Sequence, residues 1–234
     1  ATSLASIKDH VTRVNGFGAD IILLLGDYRS AGFTPGVPED VGALARVLAQ
    51  LEAPLGVHAI LGNHDWTDDP VARAEDFVTS EISQALTEVG LRPLLNTSRR
   101  LAHNGHDFWL VGFDSQCAFR TSGGRRGRHD PEQAFADVPD ESLAILLAHE
   151  PDYFVFGDHR PVLQLSGHTH GGQANFFGWR PFTPSEYASR YVYGHIVEND
   201  QHLVVSGGLG FTHVPMRIMQ PPEITLVRLT QSDD

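Results

Sequence analysis

The 234-residue sequence contains one cysteine, Cys117, and one lysine, Lys8. A single thiol forms no internal disulfide, so a disulfide framework is excluded. No apolar run approaches the roughly 18 residues of a membrane span, and the first residues lack a signal-peptide pattern. Positive charge is scarce: 17 Lys plus Arg stand against 29 Asp plus Glu, a formal net charge of −12. That balance argues against a general electrostatic grip on nucleic acid, which is not expected as a stable partner. Collagen-like and grossly disordered classes are excluded by composition. With 41% apolar residues there is ample chain for a buried core. Internal repeats and domain linkers are absent, so residues 1–234 read as one domain.

Along the chain, strands and helices alternate. Leu4, Ile7, Val11 and Val14 recur at helical spacing and predict a helix over 3–15. The run 21–25 (IILLL) reads as a buried strand, followed by a loop with Gly32, Pro35, Gly36 and Pro38. A helix over 39–52, a strand over 56–61 and a helix over 70–89 follow. This order predicts α/β architecture with parallel central strands. After residue 90 two strands, 98–103 and 107–113, flank an Asn104-Gly105 turn. Residues 118–130 read as an irregular basic loop, 131–137 as a short helix, and 142–148 and 161–166 as further buried strands. Strands near 191–197, 202–206 and 223–229 complete the reading. Cys117, just after a strand, reads as core filling or a loop residue.

Four of the apolar strands end in polar punctuation: GD at 26–27, GNHD at 62–65, HE at 149–150 and GHTH at 167–170. In an α/β sheet the carboxyl ends of the strands form the ligand-binding edge. Asp27, Asn63, His64, His149, His168 and His170 therefore gather at one edge. Each has a structural alternative when read alone. Gly26-Asp27 can be a simple turn, Asn63 or Asp65 a helix cap, His149 a satisfied polar group, and His168 and His170 turn residues. Taken jointly and in order, they predict a metal site of oxygen and imidazole donors, suited to Mn, Fe or Zn rather than to a thiolate zinc centre.

GD, GNHD, a lone His and GHTH, in that order, closely resemble the calcineurin-like metallophosphoesterases. GHTHGGQ at 167–173 and GLGFTHVPMRIMQPPEI at 208–224 resemble a bacterial branch of membrane-anchored or exported members that includes phosphodiesterases. The resemblance implies a four-layer αββα sandwich of two mixed β-sheets flanked by helices. It implies two divalent metal ions. Asp27 would bridge them; Asn63, His149 and His168 would complete one site, and His170 would belong to the other. A hydroxide bridging the ions would attack phosphorus. His64 would be the non-ligand histidine over the phosphate, with Asp65 orienting its imidazole; these two are the catalytic pair.

The implied substrates are small phosphate esters or lipid-linked cell-envelope compounds, with peripheral membrane association and a membrane-associated or extracytoplasmic location. A phosphodiester or pyrophosphate bond is the expected target. A phosphomonoesterase, or a non-catalytic ligand-binding relic, is the alternative. The family's first strand ends in Asp-x-His, and no such motif stands upstream of Asp27; Asp9-His10 is adjacent rather than spaced by one. The domain is thus expected to lack that first strand, leaving the second metal site short of two ligands.

Four arginines, Arg120, Arg125, Arg126 and Arg128, are either a solvated loop or a docking patch for an anionic group. Phe176, Phe177 and Trp179 are either core or an apolar wall beside the metals. His213 reads as a surface imidazole, and Arg217 as a residue that brings a last strand back to the sheet.

Overall fold

A computed structural model describes residues 3–29, 40–121, 124–211 and 216–230. The loop signal at Gly32, Pro35, Gly36 and Pro38, His213, and the side chains of Arg120 and Arg125 lie outside the described residues.

Helix α1 (Leu4–Asn15) starts where the Ser3 hydroxyl accepts the Ser6 N–H. Strand β1 (Ile22–Leu24) follows, then α2 (Val41–Leu48), capped by Asp40 through the Ala43 N–H at 2.8 Å. Strand β2 (Val57–Ala59) pairs in parallel with β1, aligning Leu24 with Ala59. Three helices come next: α3 (His64–Thr67), α4 (Pro70–Ala74) and α5 (Glu81–Glu88). The hairpin β3 (Thr97–His103) and β4 (His106–Gly112) turns at Asn104-Gly105, both at positive φ. A second hairpin, β5 (Phe119–Thr121) and β6 (Gly124–Arg126), precedes α6 (Pro131–Ala134). The chain continues with β7 (Ala144–Leu147), β8 (Leu163–Ser166), β9 (Gly194–Glu198) and β10 (Gln201–Val205).

Strands β1 and β2 form one small sheet, and six strands form a mixed sheet in the order β3-β4-β7-β8-β10-β9. Period-two alternation builds the layers. On β4, Leu110 faces the inter-sheet core and Val111 the opposite side. On β7, Ile145 and Leu147 face inward between the sheets, while Ala144 and Leu146 face α6 and Tyr153. The inter-sheet core joins Ile60, Leu94, Leu110, Leu147, Leu163 and Leu165 to the partly buried Ile21, Leu23 and Leu25. Helices α1, α2 and α5 cover the other face of the small sheet through Val11, Leu44, Leu48, Ile82 and Leu86. Helix, sheet, sheet and helix are therefore stacked in four layers, as the resemblance implies.

Three stretches differ from the sequence reading. Residues 70–89 form two helices, because Asp76 and Phe77 adopt left-handed φ of 52° and 60° and end the first. Fully buried Asp69 staples the pieces: it accepts from Val71, Ala72 and Glu81 N–H groups, so α4 and the start of α5 share one carboxylate. Residues 118–130 contain the β5–β6 hairpin rather than only loop. Residues 223–229 form no strand. Pro221 and Pro222 bring no N–H to a ladder. Glu223 then donates its N–H to Gly208 O and takes the Gly207 N–H on its carboxylate, which spends its bonds on the preceding loop.

Candidate metal centre

Parallel pairing carries the polar strand ends to one edge. The register of β1 with β2 sets Gly26-Asp27 beside Gly62-Asn63, and that of β7 with β8 sets His149 beside Gly167-His168. The Gly167 N–H donates to His149 O at 3.0 Å. The two sheets are tied where His149 Nδ1 meets Leu25 O at 2.6 Å. With Nδ1–H donating to a carbonyl, Nε2 keeps its lone pair and a fixed direction.

Close approach at this edge depends on two glycines. A Cβ on Gly26 would stand 2.3 Å from Gly62 N, and one on Gly62 would stand 2.2 Å from Asp27 Oδ1 and 2.7 Å from His149 Cε1. Asp27, His168 and His170 all adopt left-handed φ, at 58°, 64° and 52°. Each such non-glycine residue costs on the order of 1 kcal/mol. Three of them at one strand edge mark a place where the backbone is bent to aim side chains.

Asp27 is the hub. Its Oδ1 accepts the His64 N–H at 2.9 Å, and its Oδ2 lies 3.1 Å from His149 Nε2. Asp27, His149 and His168 each present a ligand atom, all within 4.8 Å of one another. Two buried polar atoms at this edge, Asn63 Oδ1 and His168 Nδ1, have no hydrogen-bond partner among the described residues, while His149 Nε2 faces only the Asp27 carboxylate. Buried lone pairs left unpaired are costly. Here they belong to the residues expected to share one metal ion, and their chemistry suits a cation. His170 is not part of the cluster. It sits on the 3₁₀ turn after His168, with Nδ1 3.4 Å from an Arg217 nitrogen.

Electrostatics match this arrangement. Burial raises the Asp27 carboxyl, but the charges of His149 and His64 outweigh it and hold the group well below the usual carboxylate range. Burial opposes protonation of His149, yet Asp27 raises it to about 10 in the metal-free protein. Burial, reinforced by His149, pushes His168 well down. Burial, with Arg217 nearby, brings His170 down to about 4 despite the pull of Asp27. Neutral imidazoles keep the lone pair that a metal needs.

The second residue of the expected catalytic pair takes a different part. Asp65 is fully buried and accepts N–H groups from Asp27 at 2.8 Å, Gly62 at 2.8 Å and Arg29 at 3.0 Å. It staples the two strand-end loops together, and no hydrogen bond joins it to the His64 ring. The partner of His64 is Asp68, whose Oδ2 lies 2.5 Å from His64 Nδ1. Burial lowers the His64 pKa, but Asp27 and Asp68 raise it to about 9. Sequence reasoning missed Asp68, although a carboxylate four residues after a histidine on a helix was the available signal.

Of the four arginines, Arg128 is structural. It pairs with buried Asp114 at 2.8 Å, lies 4.3 Å over the Trp66 ring and donates to Phe77 O. Arg126 is exposed. Arg217 serves a loop rather than a strand: it donates to Gly207, Gly208 and Gly210 carbonyls and reaches His170 O at 3.4 Å. Phe176, Phe177 and Trp179 are exposed, so they are not core. Among the described residues, no helix is long and apolar enough to cross a membrane.

Comparison with known proteins agrees with this geometry. The metallophosphoesterase YkuE of Bacillus subtilis, itself uncharacterized, is 29% identical over 233 residues, covering 99% of this chain and 75% of that protein. The phosphodiesterase YaeI of Escherichia coli is 31% identical over 216 residues, covering 90% of this chain and 70% of that protein. The solved structure of NAD nucleotidase from Haemophilus influenzae aligns with a TM-score of 0.53 at 11% identity. That alignment covers 87% of this chain but only 39% of the nucleotidase, and shows a shared fold alone. Residues 2–172 match the family model for calcineurin-like phosphoesterases. The chain belongs to that family, the calcineurin-like phosphoesterases, and is a metal-dependent hydrolase of phosphate esters.

Proposed function

We propose that the chain is a phosphodiesterase of small or lipid-linked phosphate esters that works with two divalent metal ions. The observation that carries this reading is the convergence of Asp27, His149 and His168 on one point, with the partnerless buried atoms Asn63 Oδ1 and His168 Nδ1 around it. A relative named as a phosphodiesterase, YaeI, favours a diester over a monoester. In this reading Asn63, His149, His168 and Asp27 would hold one ion, and Asp27 and His170 would contribute to holding a second. When bound, the ions polarise phosphoryl oxygens and lower the pKa of a water between them.

The chain's own residues supply orientation and a proton. His149 is held by Leu25 O, so its Nε2 is pre-aimed. Asp65 keeps the Asp27 and Asn63 loops at fixed separation through three backbone N–H groups. His64, with Nδ1 on Asp68, keeps Nε2 free to bind a phosphoryl oxygen or protonate the leaving oxygen. The Asp-x-His pair that the family carries before the Gly-Asp motif does not stand upstream of Asp27; the Asp200-Gln201-His202 triplet lies at the β9–β10 turn instead. We propose that a further strand carrying the family's pair lies along the edge of β1 that is unpaired among the described residues.

Elemental analysis of the purified protein, paired with hydrolysis of bis(p-nitrophenyl) phosphate in added Mn, tests this reading. The expected result is bound metal and turnover that is lost in Asp27→Ala and His64→Ala. Metal retained in Asp27→Ala, or turnover without metal, would overturn it.

A further inference from the structure

Immediately after the His168–His170 turn, the chain throws out an aromatic tip that no core contact explains. Phe176 N–H donates to Trp179 O at 2.8 Å and Trp179 N–H to Phe176 O at 3.1 Å, closing a two-residue hairpin turn. Phe177 and Gly178 at its apex have φ of 55° and 101°. Such a turn favours Asn-Gly, and a bulky aromatic at positive φ is rare. Packing does not account for it, because Phe177 is 93% exposed, Trp179 67% and Phe182, in the same segment, 72%. The segment around Ile218 runs alongside: Asn175 N–H donates to Ile218 O, and Met216 and Met219 flank the bridge, both exposed.

Charge is distributed unusually here. In a chain of net charge −12, neither 173–182 nor 216–222 contains Asp or Glu, and each contains one arginine, Arg180 and Arg217. Arg180 is anchored at the base of the tip, donating to Gly171 O at 3.0 Å. The arrangement is a convex apolar point with Arg180 at its base, over the Tyr193 ring, and Glu223 behind on the Tyr193 hydroxyl. A convex turn gives no concavity for a small ligand, and no flat face near the roughly 800 Å² per partner of a stable protein interface. Phe and Trp at a tip, with Arg180 at its base, instead suit the boundary between headgroups and acyl chains.

We propose that the 176–179 turn, with Met216 and Met219 alongside, inserts into the interfacial layer of an anionic lipid bilayer. This stands independently of the hydrolytic reading, and its test needs no turnover. The 234-residue chain is mixed with vesicles of phosphatidylcholine containing a minority of phosphatidylglycerol, and bound protein is measured by sedimentation. Wild-type protein sediments with vesicles at about millimolar lipid, and the double variant Phe177→Ser/Trp179→Ser partitions roughly 100-fold less. Brominated lipid quenches tryptophan fluorescence in the wild type. In Trp179→Phe, which keeps an aromatic ring, vesicle binding persists and the quenching is lost. Absence of wild-type binding, or equal binding by the double variant, would overturn the proposal. So would a wild-type dimer that the double variant converts to monomer without any vesicle effect, since the tip would then be a protein contact.

Discussion

At the scale of single residues, the informative pair is Asp65 and Asp68. Both are carboxylates near His64, and the motif alone favours the adjacent one. Geometry separates them: Asp65 turns inward to three backbone N–H groups, while Asp68 lies one helical turn on and meets His64 Nδ1 at 2.5 Å. An imidazole fixed through Nδ1 presents a single tautomer, and removing such a supporting partner costs about 10- to 100-fold in function. Asp68→Ala is therefore expected to lower kcat by about that factor with little change in KM. If His64 delivers a proton to the leaving oxygen, the loss is larger for an alkyl leaving group than for p-nitrophenolate, which needs no proton. Equal losses for both leaving groups would assign His64 to charge stabilisation instead. The three residues that the structure brings together, Asp27, His149 and His168, were legible as candidates because each follows an apolar strand. Asp68 was overlooked although its i,i+4 spacing from His64 was visible, and the loop-holding role of Arg217 was not legible, since it depends on where backbone carbonyls fall in space.

At the scale of elements, the strands that deliver the site were legible from apolar runs with abrupt polar ends. Residues 144–147 and 163–166 are buried throughout, as continuous runs require. Breaks inside helical patterns were less legible. Nothing in the spacing of 70–89 announces that Asp76 and Phe77 turn left-handed, and only the three N–H groups gathered by Asp69 explain why two short helices replace one. The same principle operates before β8. Asp158 accepts Tyr153 OH at 2.7 Å and Arg160 Nε at 2.9 Å, tying the 3₁₀ turn Pro151–Phe156 to the strand. Burial raises the Asp158 pKa, but Arg160 and Tyr153 together bring it down to about 2. A carboxyl depressed in the folded state stabilises it above the unfolded value of 3.8, and that contribution fades as pH falls through about 2. Asp158→Asn is expected to be less stable than wild type at neutral pH by roughly 1 kcal/mol, after allowance for solvent screening. Denaturant midpoints compared at pH 7 and at pH 2 check this. The gap between the two proteins should narrow toward pH 2, and a constant gap would mean that the charge of Asp158 contributes nothing.

At the scale of the whole molecule, the metal edge is a weak point that a cation corrects. Left-handed backbone at Asp27, His168 and His170, unpaired atoms on Asn63 and His168, and the buried Asp27–His149 pair all lie at one junction of the two sheets. The excess of negative charge adds a general attraction for cations. A ligand that binds only the folded state raises stability by about 4 kcal/mol at 1,000 times its Kd. For a domain of this size that is roughly 8–16 °C in Tm. Adding Mn to chelator-treated protein is therefore expected to raise Tm by an amount in that range, and chelation to reverse it. Asp27→Ala should start from a Tm below that of metal-free wild type, because it leaves the His64 N–H and the buried His149 without their carboxylate, and should show little rise with Mn. Loss of the response in Asp27→Ala assigns the stabilisation to this edge. A full response in that variant would place the bound metal elsewhere in the molecule and leave the unpaired atoms of Asn63 and His168 without a physical reason.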